Sequence, residues 1–307
     1  MRSDFEELYI YSRRLGLQVI LFTNATLITE NIARLLAEIP PGKPIEVTSY
    51  GMSATSYESV TRRKGSFTTF RSGIDHLIRY NVTLFIKLAI LPPNLYELDK
   101  AEQWARSISR NHEYPACVVA LDLRSRRDSA QKNNSICSMR MPPEKVVEIL
   151  GRNNGYRKEM LQFCQRFTGT KSDKLFNCNI GRGICVDAYG NAKGCLSLQV
   201  PSMLYSLEKG SLRKALQDYF PDFVERKAHN PTYLQQCAHC VLRGLCVQCP
   251  AKSWSEYGTL DTPVDYYCRI THEHAYFLGL MQRGEKGWQI INWHDRINKA
   301  KCKLEVF

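Results

Sequence analysis

The sequence predicts an α/β protein, a parallel sheet or barrel covered by helices, followed by a loop-rich, cysteine-dense region. Three observations carry this. Residues 4–123 alternate helical periodicity with short, near-continuous apolar runs, the pattern of parallel strands flanked by helices. Eight of the 12 cysteines fall between residues 178 and 268. The chain of 307 residues is 44% hydrophobic, enough to bury a sizeable core.

Taken in order, residues 4–15 read as an amphipathic helix with Phe5, Leu8 and Leu15 on one side, ended by Gly16. Val19 to Thr23 reads as a buried strand. A helix follows from about Thr29, a credible N-cap, to Glu38. Pro40-Pro41-Gly42 breaks the chain before a strand over Ile45 to Ser49. A helix over about Phe67 to Tyr80 leads to a strand over Val82 to Leu91, stopped by Pro92-Pro93. Residues 95–109 read as helix, and Cys117 to Leu123 as a fourth apolar strand. Arg124 to Arg140 is polar and basic and reads as a loop or linker. Helices are expected over 143–151 and 156–167. Val186 to Gly194 reads as a β-hairpin, with Gly190 supplying the turn conformation and Cys195 on the outgoing strand.

Composition excludes several classes. Moderate charge and ample aromatics argue against disorder, and no run approaches the 18 apolar residues of a membrane span. No signal-peptide pattern opens the sequence. Twelve cysteines without a secretory signal then point to metal or redox chemistry in a cytoplasmic setting rather than to disulfides. The formal charge of +12 comes from 42 basic and 30 acidic side chains. The basic residues lie in scattered loop clusters, so a nucleic-acid partner is not expected.

The densest cysteine run is Cys237-Ala-His-Cys240-x5-Cys246-Val-Gln-Cys249. Two thiolates separated by two residues can turn toward one metal centre, so four within 13 residues form a strong metal signal. A single zinc held by these four would leave Cys178, Cys195 and Cys268 without a role. Eight thiols, with Cys185 included, suit two four-ligand centres better. Spacing alone does not choose between zinc and iron–sulfur ligation. His239 reads as spacer within the Cys-x2-Cys turn. His272 and His274 point to different faces of a helix and read as surface. Cys117 reads as strand packing, and Cys137 and Cys302 as free thiols.

The order Cys178-x11-Gly190-x4-Cys195, then Cys237-x2-Cys240-x5-Cys246-x2-Cys249, then Cys268 closely resembles the SPASM domain that follows the catalytic barrel of many radical S-adenosylmethionine (SAM) enzymes acting on peptides. The family's last spacing is usually three residues where this chain has Val247-Gln248. The first half agrees. Thr23-Asn24-Ala25-Thr26 resembles the third-strand Thr-Asn-Gly-Thr motif, with Ala25 in place of glycine. Val47 to Gly51, Tyr57 to Thr61, Gly65 to Phe67, Lys87 to Asn94 and Glu97-Leu98 resemble the segments that follow. The fold this resemblance implies is α/β: an incomplete radical SAM-type partial (β/α)6 barrel over 1–124, helices and a linker over 125–177, the SPASM domain over 178–282 and a tail over 283–307.

The resemblance also implies the site. Cys178, Cys195 and Cys249 would hold one auxiliary [4Fe-4S] cluster, with Cys185, Cys164 or an open position as its fourth ligand. Cys237, Cys240, Cys246 and Cys268 would hold a second. Thr23, Asn24 and Thr48, at strand ends, would border the SAM pocket or serve only as local caps. The family's Cys-x3-Cys-x2-Cys motif occurs nowhere in the sequence, nor does its Gly-Gly-Glu-Pro motif, and both would lie just before residue 4. The first helix likewise lacks the strand that should precede it, unless it simply packs on the sheet edge. SAM and a third [4Fe-4S] cluster are therefore expected only in an intact form, which would modify a ribosomally made peptide or protein. The chain by itself is expected to be inactive, a split N-terminal partner could supply the missing strands, and Val19 to Thr23 is expected to present an apolar edge. The alternative is a degenerate, non-catalytic iron–sulfur or zinc-binding module.

Overall fold

The computed structural model describes residues 3–108, 117–121, 123–125, 127, 129–153, 155–166, 171–176, 178, 180–181 and 183–302. The chain divides into two compact units, one of residues 1–122 with 139–141, the other of 123–138 with 142–307. Among the described residues no helix is long and apolar enough to cross a membrane.

The first unit contains α1 (Phe5–Arg14), β1 (Phe22–Thr23), α2 (Glu30–Glu38), β2 (Ile45–Ser49), α3 (Ala54–Thr61), α4 (Ser66–Arg79), β3 (Leu84–Ala89), α5 (Leu98–Ile108) and β4 (Cys117–Ala120). The four strands pair in parallel in the order β1-β2-β3-β4. Such a sheet needs a crossover between consecutive strands, and the helices supply it. Side chains alternate across the sheet: Ile45, Val47, Leu84, Ile86 and Leu88 are buried with Ile32 and Leu36 of α2 and Phe70, Ile74 and Leu77 of α4. Glu46, Thr48, Phe85 and Lys87 occupy the opposite, partly covered face, where Lys87 pairs with Glu46 at 3.2 Å. The described strands form an open sheet.

The ends of these elements are set by side-chain chemistry that the sequence exposes. Thr29 caps α2, its hydroxyl accepting from the Ile32 N–H at 3.3 Å. Asn94 is buried and ties two strand ends together: its amide donates to the Tyr50 and Ala89 carbonyls, each at 2.8 Å. Its Oδ1 accepts from the Leu91 N–H at 2.8 Å. Glu97 is buried and accepts from the Met52 N–H at 2.8 Å and from the Ser56 hydroxyl, holding the start of α3 against the helix after β3.

Three expectations are corrected here. The stripe Phe5, Leu8 and Leu15 does not face the core: α1 buries Tyr9, while Leu8 is 44% and Leu15 58% exposed. Val19 to Thr23 is not a buried strand, because only Phe22–Thr23 pairs, at the sheet edge, with Phe22 70% exposed. The polar stretch 124–140 contains a helix, α6 (Ala130–Ser138).

After α6 the second unit continues with α7 (Pro143–Leu150), α8 (Tyr156–Arg166), β5 (Cys185–Val186), β6 (Asn191–Lys193), β7 (Tyr205–Ser206), α9 (Leu212–Lys214), α10 (Pro221–Val224), α11 (Pro231–Gln235), α12 (Pro250–Tyr257), α13 (Asp265–Phe277) and α14 (Trp293–Cys302). Strands β5, β6 and β7 form a small antiparallel sheet. Two apolar cores support the unit. One gathers Ile180, Ala192, Phe220, Phe223 and Ala251 around the small sheet, with Cys195 and Cys249 packed against it. The other gathers Leu161, Leu242, Leu278 and Trp293 from α8, α13 and α14, with Cys240 packed against it.

Candidate metal centre

Short turns put the thiols in place. Gly190 takes φ +75° at the β5–β6 tip, a conformation costly for any residue with a side chain. The Asp187 carboxylate closes that turn by accepting from the Tyr189 and Asn191 N–H groups, both at 3.0 Å. Buried Lys193 pairs with Asp187 at 3.3 Å. Cys185 sits on β5 opposite Lys193, and Cys195 follows the end of β6 rather than riding on it.

The downstream thiols hang on two 3₁₀ turns, Cys237–His239 and Val241–Gly244. Arg243 staples the first by donating to the Cys237 and Ala238 carbonyls at 3.4 and 3.3 Å. Cys249 is the N-cap of α12, with Pro250 in the first turn where its missing N–H costs nothing. Cys268 lies in α13 and Cys178 precedes the hairpin.

Cys178, Cys237, Cys240, Cys246, Cys249 and Cys268 line one cavity of about 320 Å³. Burial pushes the Cys237 and Cys240 thiols up to about 12 and Cys268 up to about 11, and raises Cys246 as well. Mutual charge adds to this. Cys237, Cys240 and Cys268 each feel Cys246, and Cys240 also feels Cys237 and Cys268. Cys178 feels Cys195 and Cys249. Cys246 also feels Cys249.

Polar donors are aimed at several of these sulfurs. Cys240 accepts from the Leu242 N–H, Cys246 from the Gln248 N–H, and Cys178 from the Ile180 N–H. Lys252 is buried one turn into α12, its ammonium 4.1 Å from the Tyr267 ring centroid and its charge favouring the Cys246 thiolate. Donors converging on thiols that resist ionising alone are what an anionic thiolate–metal assembly requires. Among the described residues, no three His, Cys, Asp or Glu side chains converge on one point at single-ion distances. Thiolates on one tetrahedral zinc would lie roughly 4 Å apart, given Zn–S bonds of about 2.3 Å. Six thiols around one cavity are a donor set that suits zinc or an iron–sulfur group.

Cys185 is neither in this lining nor among the groups whose charge acts on the raised thiols. Cys164 is buried in the second apolar core beside Leu161, its thiol pushed up to about 12 by burial. The Thr23 hydroxyl accepts from the Ala25 N–H at 3.0 Å, and Asn24 Oδ1 accepts from the Thr26 N–H at 3.2 Å. Both are engaged in a local turn in which Ala25 takes φ +58°, the left-handed conformation that glycine adopts freely. Gly73 of α4 lies against that turn, where any side chain would collide with the Ala25 carbonyl. By register Thr48 shares a sheet face with Glu46 and Lys87, while Thr23 shares one with Val47.

His272 and His274 are buried, 7% and 5% exposed, and not on the surface as their spacing suggested. His272 and Trp288 line the thiol cavity. A Cβ on Gly287 would lie 2.7 Å from Cys240 Sγ, so the chain past α13 passes directly over a thiol. Sequence reasoning singled out neither Gly287 nor Lys252. His272 carried a usable signal, since position 272 lies one turn after Cys268 on a helix.

No protein-family model and no curated protein matches the chain. Its fold is nevertheless similar to that of solved structures of anSMEcpe. Native anSMEcpe with bound AdoMet matches with a TM-score of 0.59 at 15% identity, over 97% of this chain and 81% of that one. Native anSMEcpe with bound AdoMet and the Cp18Cys peptide matches with a TM-score of 0.58 at 16% identity, over 97% and 82%. At that identity the likeness is one of fold.

Proposed function

We propose that the chain is an iron–sulfur protein of the radical SAM/SPASM type that carries two auxiliary [4Fe-4S] clusters and serves the modification of a peptide or protein. Cys237, Cys240, Cys246 and Cys268 hold one cluster. Cys178, Cys195 and Cys249 hold the other, whose fourth position is filled by Cys185 after a local shift or left open. The observation that supports this reading is that six of the eight clustered thiols, Cys178, Cys237, Cys240, Cys246, Cys249 and Cys268, line one cavity. When bound, such clusters supply electron transfer and, where an iron lacks a protein ligand, a place for another ligand.

The protein's own share is then clear. Cys195 and Cys249 pack on one apolar core and Cys240 on the other, the backbone N–H groups of Ile180, Leu242 and Gln248 stabilise thiolate charge, and Lys252 adds a fixed cation. The fold likeness to an enzyme solved with AdoMet and a peptide supports a peptide as substrate. Thr23, Asn24 and Thr48 are the proposed border of a SAM site. The 307 residues contain no Cys-x3-Cys-x2-Cys, so this polypeptide by itself is proposed not to cleave SAM. The same lack favours a second reading, a non-catalytic iron–sulfur protein that binds a peptide or partner.

Iron and acid-labile sulfide measured after anaerobic reconstitution test the primary reading. Both are expected, and zinc without sulfide would overturn it. Substituting Cys237 by Ala should lower iron content while leaving the second set loaded. Formation of 5′-deoxyadenosine from SAM by this chain would overturn the claim of inactivity.

A further inference from the structure

His272 stands outside both thiol sets yet touches one of them. Gly287 donates its backbone N–H to His272 Nε2 at 3.1 Å. A backbone N–H can only donate, so Nε2 presents its lone pair and the ring hydrogen resides on Nδ1. Nδ1 lies 2.8 Å from the Cys268 carbonyl oxygen and 3.7 Å from Cys268 Sγ. The carbonyl anchors the ring, and the sulfur is the second acceptor of the same N–H. Trp288 meets the imidazole edge-on, with centroids 5.7 Å apart and planes at 77°, which locks its rotation.

We propose that His272 is a positioning residue of the Cys237/Cys240/Cys246/Cys268 centre, orienting Cys268 and setting the reduction potential of the cluster held there. The inference rests on the proposed function above. A donor directed at a ligand sulfur stabilises the extra electron of the reduced state, so the Nδ1–H raises the potential. Because Gly287 fixes which nitrogen carries the hydrogen, the segment after α13 takes part in the tuning without touching the metal.

Three substitutions separate the two hydrogen bonds in the reconstituted full chain. His272→Phe removes both. His272→Asn places an amide where Nδ1 lies and keeps a donor for Cys268. His272→Gln places its amide where Nε2 lies and keeps only the bond to Gly287. Potentiometric titration followed by electron paramagnetic resonance is the readout. His272→Phe and His272→Gln should shift one couple downward and leave the other unmoved, while His272→Asn stays near the wild type. If His272→Phe does not load iron, the Asn and Gln variants alone make the comparison. Equal potentials in all loaded variants, or an Asn variant as low as Gln, would overturn the inference while leaving the proposed function standing. A wild-type chain that takes up neither iron nor sulfide would overturn both.

Discussion

His274 should make the second unit acid-sensitive in a defined window. Its imidazole is 5% exposed on α13, with Nε2 2.9 Å from the Tyr156 hydroxyl and a buried Nδ1 that has no partner among the described residues. Burial drives its pKa from 6.5 to about 4. The unfolded chain therefore takes up a proton as pH falls through 6.5, which the folded chain refuses until about 4. Stability from the neutral ring is complete above 6.5 and lost as pH falls toward 4. At about 1.4 kcal/mol per pH unit the full difference is about 3 kcal/mol, and at pH 5 roughly 2 kcal/mol of it is already gone. His274→Gln keeps a partner for Tyr156 and does not titrate. Urea midpoints at pH 7 and pH 5 should fall more for the wild type than for this variant. Equal losses in the two proteins would refute the reasoning.

Two further substitutions test other parts of the structure. Gly287→Ala puts a methyl group 2.7 Å from both Cys240 Sγ and Leu242 Cγ. Overpacking of that kind costs about 1–3 kcal/mol, and iron content should fall together with the melting temperature; unchanged values would mean that the segment yields without cost. Glu97→Gln removes the charge that accepts from Met52 and Ser56. Burial alone would raise the Glu97 carboxyl, but hydrogen bonds from Met52, Ser56 and Ser53 outweigh it and hold the group low. The variant should lose about 1–3 kcal/mol and speed hydrogen exchange at the Met52 amide.

Local chemistry proved the most readable layer of the sequence. Thr29 as a cap, Ile45–Ser49 as a strand and Gly190 as a hairpin turn needed only their own neighbours to be interpreted, and each is found where expected. What depends on distant partners was not readable. The apolar run ending at Thr23 fits a strand, but periodicity does not tell which strands flank it, and Phe22 turns out to lie on an edge. α6 buries none of its residues and so leaves no apolar stripe to detect. His272 and His274 point in different directions, which suggested surface. α13 is covered on both sides instead, by α7 on one and by the Gly287 segment on the other. The thiols that line the cavity stood out by their spacing. The groups around them did not, because Lys252 and Gly287 belong to no spacing motif.

The passage of Gly287 over Cys240 also bears on biosynthesis. The ribosome adds residues 285–288 only after all eight clustered cysteines have been made. Until then Cys240 lacks its cover and His272 lacks the N–H that fixes its hydrogen. A nascent chain thus holds all eight clustered thiols before the segment that covers Cys240 exists.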